Sequence, residues 1–91
     1  ELRPEFVRAR QWLGRTYMER GMLDEAIRQL KKTVESAPKI GQFHYDLAKV
    51  YAMAGQIPLA LEHYDAAVEL APPESELAEQ ARMALEDLHS R

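Results

Sequence analysis

The stretches RGMLDEAIRQLKKTVESAP, residues 20–38, and AGQIPLALEHYDAAVELAP, residues 54–72, decide the fold of this chain. In each stretch a glycine precedes apolar residues at three- and four-residue spacing, and a proline closes the stretch. Such spacing places the apolar side chains on one side of an α-helix. The sequence therefore contains the same helix twice, at an interval of 34 residues.

The repetition extends beyond these two stretches. When residues 41–74 are aligned with residues 7–40, the matching pairs include Leu13 with Leu47, Gly14 with Ala48, Tyr17 with Tyr51, Gly21 with Gly55, Ala26 with Ala60, Leu30 with Tyr64 and Pro38 with Pro72. Self-similarity at a fixed period of this length is typical of proteins built from stacked structural repeats. Each copy is predicted to hold two helices, separated by a glycine that tolerates the positive φ at a helix end.

Small residues are predicted to bring the two helices of each copy close together. Gly14 or Ala48 on the first helix faces Ala26 or Ala60 on the second, so that larger side chains fill the space beside them. The apolar stripes of the first copy are Phe6, Ala9, Leu13 and Tyr17, followed by Ala26, Leu30 and Val34. A stripe of this kind ordinarily faces the core.

These residues resemble the tetratricopeptide repeat, whose 34-residue pattern is W-x2-L-G-x2-Y, then A-x3-F, then P. The copies read Arg10-x2-Leu13-Gly14-x2-Tyr17 with Ala26-x3-Leu30 and Pro38, and His44-x2-Leu47-Ala48-x2-Tyr51 with Ala60-x3-Tyr64 and Pro72. Neither copy keeps the tryptophan. The resemblance implies an all-α fold: an α-solenoid of five antiparallel helices, made of two helix-turn-helix pairs and a C-terminal helix.

The chain is predicted to form a single domain over residues 1–91, with repeat 1 at 7–40 and repeat 2 at 41–74. Residues 75–91 are expected to form a C-terminal capping helix, whose apolar stripe is Leu77, Ala81, Ala84, Leu85 and Leu88. A truncated third repeat is the alternative. Because the chain begins at Glu1, we also expect a processed protein or a piece of a longer one.

Composition limits the classes of function. The chain has no cysteine, which excludes disulfides and cysteine-based metal sites, and leaves both cytoplasm and periplasm open as locations. No apolar run approaches the roughly 20 residues that span a bilayer, so we expect no membrane insertion. Residues 1–49 hold 10 Lys and Arg against 7 Asp and Glu, whereas residues 50–91 hold 2 against 8. The halves therefore differ in charge, at +3 and −6.

No pattern of catalytic residues is recognisable. The three histidines lack the i, i+4 spacing of helical metal ligands, so we assign them to packing or to the surface. No serine lies in a G-x-S-x-G motif, and the four glycines do not form a phosphate-binding loop. We therefore predict a protein that is not an enzyme, with no catalytic residue, no metal site and no cofactor.

Protein is the partner that the resemblance implies, since first helices of successive repeats in this family line a concave groove for peptides or helices. The matching positions are Arg8, Gln11, Arg15, Gln42, Tyr45 and Lys49, with Trp12 and Asp46 at the edge. Arg15 and Lys49 lie one repeat apart and could hold an acidic segment through charge-assisted hydrogen bonds. Glu76 and Glu79 are expected to face the same groove and to neutralise part of it.

Three alternatives stay open at this point. The groove residues could simply be solvated side chains. The chain could instead be a self-association module that mediates homo-oligomerisation of a larger protein, since its halves carry opposite charge. Nucleic acid is the weakest candidate, because a chain with a pI near 5.6 fits phosphate poorly despite five arginines along its first helix. The residues that clamp chaperone C-termini in one subgroup of the family are absent.

Overall fold

Five α-helices account for most of the chain in the computed structural model, which describes residues 3–90. The helices are α1 (Pro4–Glu19), α2 (Leu23–Ser36), α3 (Gly41–Met53), α4 (Ile57–Leu70) and α5 (Glu76–His89). No strand occurs among the described residues. The predicted all-α class and the predicted number of helices are therefore confirmed.

Each helix packs mainly against its neighbours in sequence. The most extensive contacts lie within the pairs α1–α2 and α3–α4. Further contacts, of α2 with α3 and of α4 with α5, join these pairs and the last helix into one row. α1 also touches α3, and α3 touches α5, so alternate helices line one side of the row. This order of contacts is the helical-repeat arrangement that the sequence predicts.

The two helical pairs turn in the same way. Gly21 and Gly55 adopt φ values of 77° and 81°, which residues with a Cβ rarely adopt. The residue after each glycine donates a backbone hydrogen bond to a carbonyl in the last turn of the preceding helix. The Met22 N–H donates to the Tyr17 carbonyl and the Gln56 N–H donates to the Tyr51 carbonyl, both at 2.9 Å. This six-to-one bond is the Schellman ending of a helix, and it fixes the same turn in both repeats.

Small residues bring the helices of each pair together, as predicted. Ala26, Ala48 and Ala60 are completely buried. A Cβ added at Gly14 would lie 2.7 Å from Cγ and Cδ2 of Leu30, a side chain that is itself fully buried. The contact between α1 and α2 therefore requires a residue without a side chain at position 14.

α5 covers the end of the second pair. Ala78, Ala81 and Leu88 are buried against α4, and the Ser75 Oγ caps the helix by accepting a bond of 3.1 Å from the Ala78 N–H. Leu77, Ala84 and Leu85 of the predicted stripe are half-buried. The apolar side of α5 is thus used in packing, and its other side is polar except for the exposed Met83.

Three members of the predicted stripe of α1, Phe6, Ala9 and Leu13, face outward, which corrects the expectation from its spacing, while Tyr17 is half-buried and packs against the core. Phe6 is 56% exposed and Leu13 is 42% exposed, whereas Leu47, the counterpart of Leu13 in the second repeat, is 1% exposed. The reason is that α2 packs beside α3, while no described element occupies the equivalent position beside α1. The side of α1 that packs inward instead carries Val7, Gln11, Gly14 and Met18.

Two histidines meet between α3 and α4, which their spacing in sequence did not predict. His44 Nδ1 lies 3.0 Å from His63 Nδ1, and His44 Nε2 lies 2.7 Å from the Pro38 carbonyl oxygen. A carbonyl only accepts, so His44 donates from Nε2 and, when neutral, accepts at Nδ1 from His63. The packing role predicted for these histidines therefore takes the form of a directed hydrogen bond.

We expect Gly14→Val to destabilise the protein by about 2 kcal/mol, because its side chain must displace the buried Leu30. In a domain of this size that loss lowers the melting temperature by roughly 10 °C, measurable by circular dichroism. Thr16→Val is the control for introducing a valine into this helix, since position 16 lies on its exposed side. Equal melting temperatures for the two variants would contradict this account of the α1–α2 contact.

We expect stability to fall as the pH drops below about 6.5, the ordinary pKa of histidine. Burial, and then the neighbouring His44, lower the pKa of His63, while Glu62 opposes the shift. The folded state therefore binds fewer protons than the unfolded state. The stabilisation is complete above the pKa that His63 has in the unfolded chain, and it is lost as the pH falls from there towards the lower pKa of His63 in the folded chain.

Melting temperatures at pH 7.5 and 5.5 test this pH dependence, because both values lie above the range in which most carboxylates titrate. The decrease should shrink in His63→Gln and persist in His89→Gln, which removes an exposed histidine of α5. A full decrease in His63→Gln would assign the effect to another group.

Candidate functional site

A cleft of about 630 Å³ lies where the first turns of α1 approach the start of α3. The segment that joins α2 to α3 closes one end of it. The lining residues are Val7, Arg8, Gln11, Trp12, Arg15, Ser36, Ala37, Ile40, Gln42 and Phe43. Three separate elements of the chain therefore contribute to one cleft.

A second cleft, of about 450 Å³, continues along α1 and α3 towards α5. Its lining residues are Arg15, Met18, Glu19, Gln42, Tyr45, Asp46, Lys49 and Gln80. Arg15 and Gln42 line both clefts, so the two clefts are adjacent, and together they are called the α1–α3 groove. The seven residues predicted from the sequence all line it: Arg8, Gln11, Trp12, Arg15, Gln42, Tyr45 and Lys49.

The floor of the α1–α3 groove is a network of three polar side chains. Gln11 Nε2 donates to Asp46 Oδ2 at 2.7 Å, and Gln42 Nε2 donates to Asp46 Oδ1 at 3.0 Å. Asp46 is only 3% exposed, so its predicted position at the edge of the groove is wrong. The i, i+4 spacing of Gln42 and Asp46 could have indicated one of these bonds, since such pairs meet on a helix.

The end of the groove near the start of α1 is more apolar than the sequence analysis indicated. Val7 and Phe43 are buried beneath it, and Ile40 and Trp12 stand at its rim with large exposed surfaces. Trp12 is 67% exposed. This end therefore offers unburied aromatic and aliphatic surface beside the charged side chains.

Charged groups are distributed along the length of the groove. Arg8 and Arg15 lie at the apolar end, with the guanidinium carbon of Arg15 5.8 Å from the centre of the Trp12 ring, within cation–π range. Lys49 lies at the other end, near Asp46 and Glu19. Among the described residues, none of the three cations Arg8, Arg15 and Lys49 takes part in an ion pair.

Tyr45 contributes a neutral hydroxyl to the groove. Its ring packs edge-on against Tyr64, with 5.5 Å between ring centres. Burial, and then the charge of Asp46, raise the pKa of Tyr45 above its usual value near 10. The phenol therefore stays protonated at neutral pH and can donate a hydrogen bond.

α5 contributes less to the groove than predicted. Gln80 lines the second cleft and donates to Glu76 Oε2 at 3.4 Å, while Glu76 and Glu79 are not among the residues that line either cleft. Glu76 and Glu79 therefore take no part in the lining, in which the acidic residues are Glu19 and Asp46. The neutralisation expected from Glu76 and Glu79 is thus absent from the lining.

Residues 3–90 contain neither a metal-binding cluster nor a membrane-spanning helix. Within that range no three His, Asp or Glu side chains cluster closely enough to hold a metal ion. None of the described helices has the length and apolar character that crossing a membrane would require. The groove is lined by residues suited to recognition, namely cations, amides, a phenol and apolar surface.

Comparison with known proteins agrees with the helical arrangement. Residues 3–75 match the family described as Tetratricopeptide repeat. A search of curated proteins finds no match. Repeats of that family mediate protein–protein interaction, and the family is a non-catalytic scaffold. On this match and on its five packed helices, the chain belongs to the tetratricopeptide repeat family.

Proposed function

We propose that the α1–α3 groove binds a segment of a partner protein, and that this segment is acidic and carries one bulky apolar side chain. The observation that supports the proposal most directly is that the two adjacent clefts share Arg15 and Gln42, so that an apolar end lies next to three cations. A binding site for protein commonly combines an apolar anchor point with polar surroundings.

The apolar end suits an aromatic or aliphatic side chain of the partner. Trp12 and Ile40 would lose exposed surface on binding, and Val7 and Phe43 already form a dry base beneath them. Burying apolar surface contributes roughly 25 cal/mol per Å² before the costs of association. An exposed tryptophan at such a position is a typical interface anchor.

The charges favour carboxylates on the ligand. Arg8, Arg15 and Lys49 stand against two acidic residues of the lining, Asp46 and Glu19. Both oxygens of Asp46 accept bonds from Gln11 and Gln42, and among the described residues Asp46 forms no ion pair with the groove cations. Arginine and lysine bind carboxylates through charge-assisted hydrogen bonds, which are stronger than neutral ones.

We expect the double variant Arg15→Ala/Lys49→Ala to bind an acidic peptide at least about tenfold more weakly, because two charge-assisted contacts are lost. The probe is a peptide of Asp and Glu residues around one Phe, measured by amide chemical shifts. Lys31→Ala/Lys32→Ala is the control, since it removes two exposed cations of α2 outside the groove. Higher salt should weaken the wild-type complex more than that of the double variant.

Two further peptides make this test decisive. A peptide with Ser in place of Phe should bind more weakly, and a peptide with Lys in place of the acidic residues should not bind. Unchanged affinity in Arg15→Ala/Lys49→Ala, or equal binding of the acidic and basic peptides, would rule out the proposed ligand.

We expect the fluorescence of Trp12 to shift to shorter wavelength when the Phe-containing acidic peptide binds. Trp12 is the single tryptophan of the chain and is largely exposed, so covering it moves the indole to less polar surroundings. Trp12→Ala should weaken binding by about tenfold or more, as loss of an interface anchor does. An unchanged spectrum at saturating peptide would place the ligand elsewhere.

A further inference from the structure

One side of α1, continued to its C-cap residue Arg20, carries a regular stripe that the described chain covers only in part, since Arg10 and Tyr17 are half-buried and the other members are exposed. It consists of Phe6, Arg10, Leu13, Tyr17 and Arg20, spaced alternately by four and three residues, and is called the α1 outer face below. Residues at this spacing lie in one row on a helix. Apolar and cationic side chains therefore alternate along a surface that is distinct from the α1–α3 groove.

The second repeat shows how such a face is normally used. Leu47 and Tyr51 occupy in α3 the places that Leu13 and Tyr17 occupy in α1, and both are buried where α3 packs beside α2 and α4. Leu13 remains 42% exposed. The α1 outer face thus has the residues of a helix-packing surface, and two of its large apolar side chains, Phe6 and Leu13, remain exposed two turns apart.

The outward side of α5, at the opposite end of the row, has complementary residues. Glu76, Glu79, Met83 and Glu86 follow one another at the same three- and four-residue spacing, and all four are exposed. These residues are called the α5 outer face. Met83, at 62% exposure, is its apolar member, and it stands between glutamates.

We propose that the α5 outer face of one molecule packs against the α1 outer face of a second copy. α1 and α5 do not contact each other within the described chain, so both faces remain available in each molecule. Arg10 and Arg20 are separated by the same number of residues as Glu76 and Glu86, about 15 Å along a helix. Each arginine can therefore meet a glutamate at the same time.

The antiparallel orientation pairs these faces best. It sets Glu86 beside Arg10 and Glu76 beside Arg20, and it places Met83 opposite Leu13. The parallel orientation also pairs the charges, but it sets the carboxylate of Glu79 opposite Leu13, which would desolvate a charge against an apolar side chain. None of Arg10, Arg20, Glu79 and Glu86 forms an ion pair among the described residues, so no internal pair has to break.

This contact uses two different surfaces, so it is heterologous and each added molecule presents a new free face. The mass of the wild-type chain in sedimentation equilibrium should accordingly rise above 10.5 kDa with concentration, up to about 1 mM, and pass beyond the dimer. High salt should weaken the association, because exposed charges are screened. The inference does not depend on the proposed ligand of the groove.

Two variants that each damage one face provide the test. Leu13→Glu introduces a carboxylate into the α1 outer face, and Glu79→Arg/Glu86→Arg reverses the charge of the α5 outer face. Each variant alone should stay monomeric, with association weakened by about tenfold or more. Because each retains one intact face, an equimolar mixture should form a dimer of one chain of each kind and grow no further.

A charge exchange fixes the orientation of the contact. The variant Arg10→Glu should associate with the variant Glu86→Arg, because the antiparallel contact joins positions 10 and 86. The variant Arg20→Glu should associate with Glu86→Arg more weakly. Circular dichroism melts of all variants confirm that these surface changes leave the fold intact. A wild-type chain that is monomeric at 1 mM, single-face variants that still associate, or a mixture that does not dimerise would each overturn the proposal.

Discussion

The close approach of the two helices in each pair is the constraint on which the rest of the structure depends. In the first pair Gly14 leaves just enough room for Leu30, and in the second Ala48 and Ala60 are completely buried beside Tyr64. Because the helices lie so near each other, the glycine turns after α1 and α3 must be tight, and they take the same Schellman form. Repetition of one helical spacing then brings α1 and α3 side by side, which creates the groove.

Much of this architecture could be predicted from the sequence because its determinants are local. Apolar spacing indicates each helix, Gly21 and Gly55 mark the turns, and the alanines show where helices touch. The groove residues followed from the position of each residue within its repeat. That prediction rested on the resemblance to the tetratricopeptide repeat, in which the first helices of successive repeats line one groove.

Features that depend on neighbours across the fold were not predictable in the same way. Asp46 occupies the place of Trp12 one repeat later, yet Asp46 is buried and Trp12 is exposed, because only Asp46 meets amides from both α1 and α3. The meeting of His44 and His63 requires the side-by-side packing of α3 and α4, which spacing along one helix does not reveal. The outward side of α1 likewise depends on which helix lies next to it.

The hydrogen bonds of Asp46 give the groove floor a mechanical role. The bond from Gln11 joins α1 to α3, two helices that otherwise touch only slightly, so it helps to set the angle between the two repeats. A ligand that drew Gln11 away from Asp46 would relax that angle, and a ligand that left the bond intact would stiffen it. If the groove binds a ligand as proposed, its occupancy and the curvature of the repeat array would be thermodynamically linked through this one carboxylate.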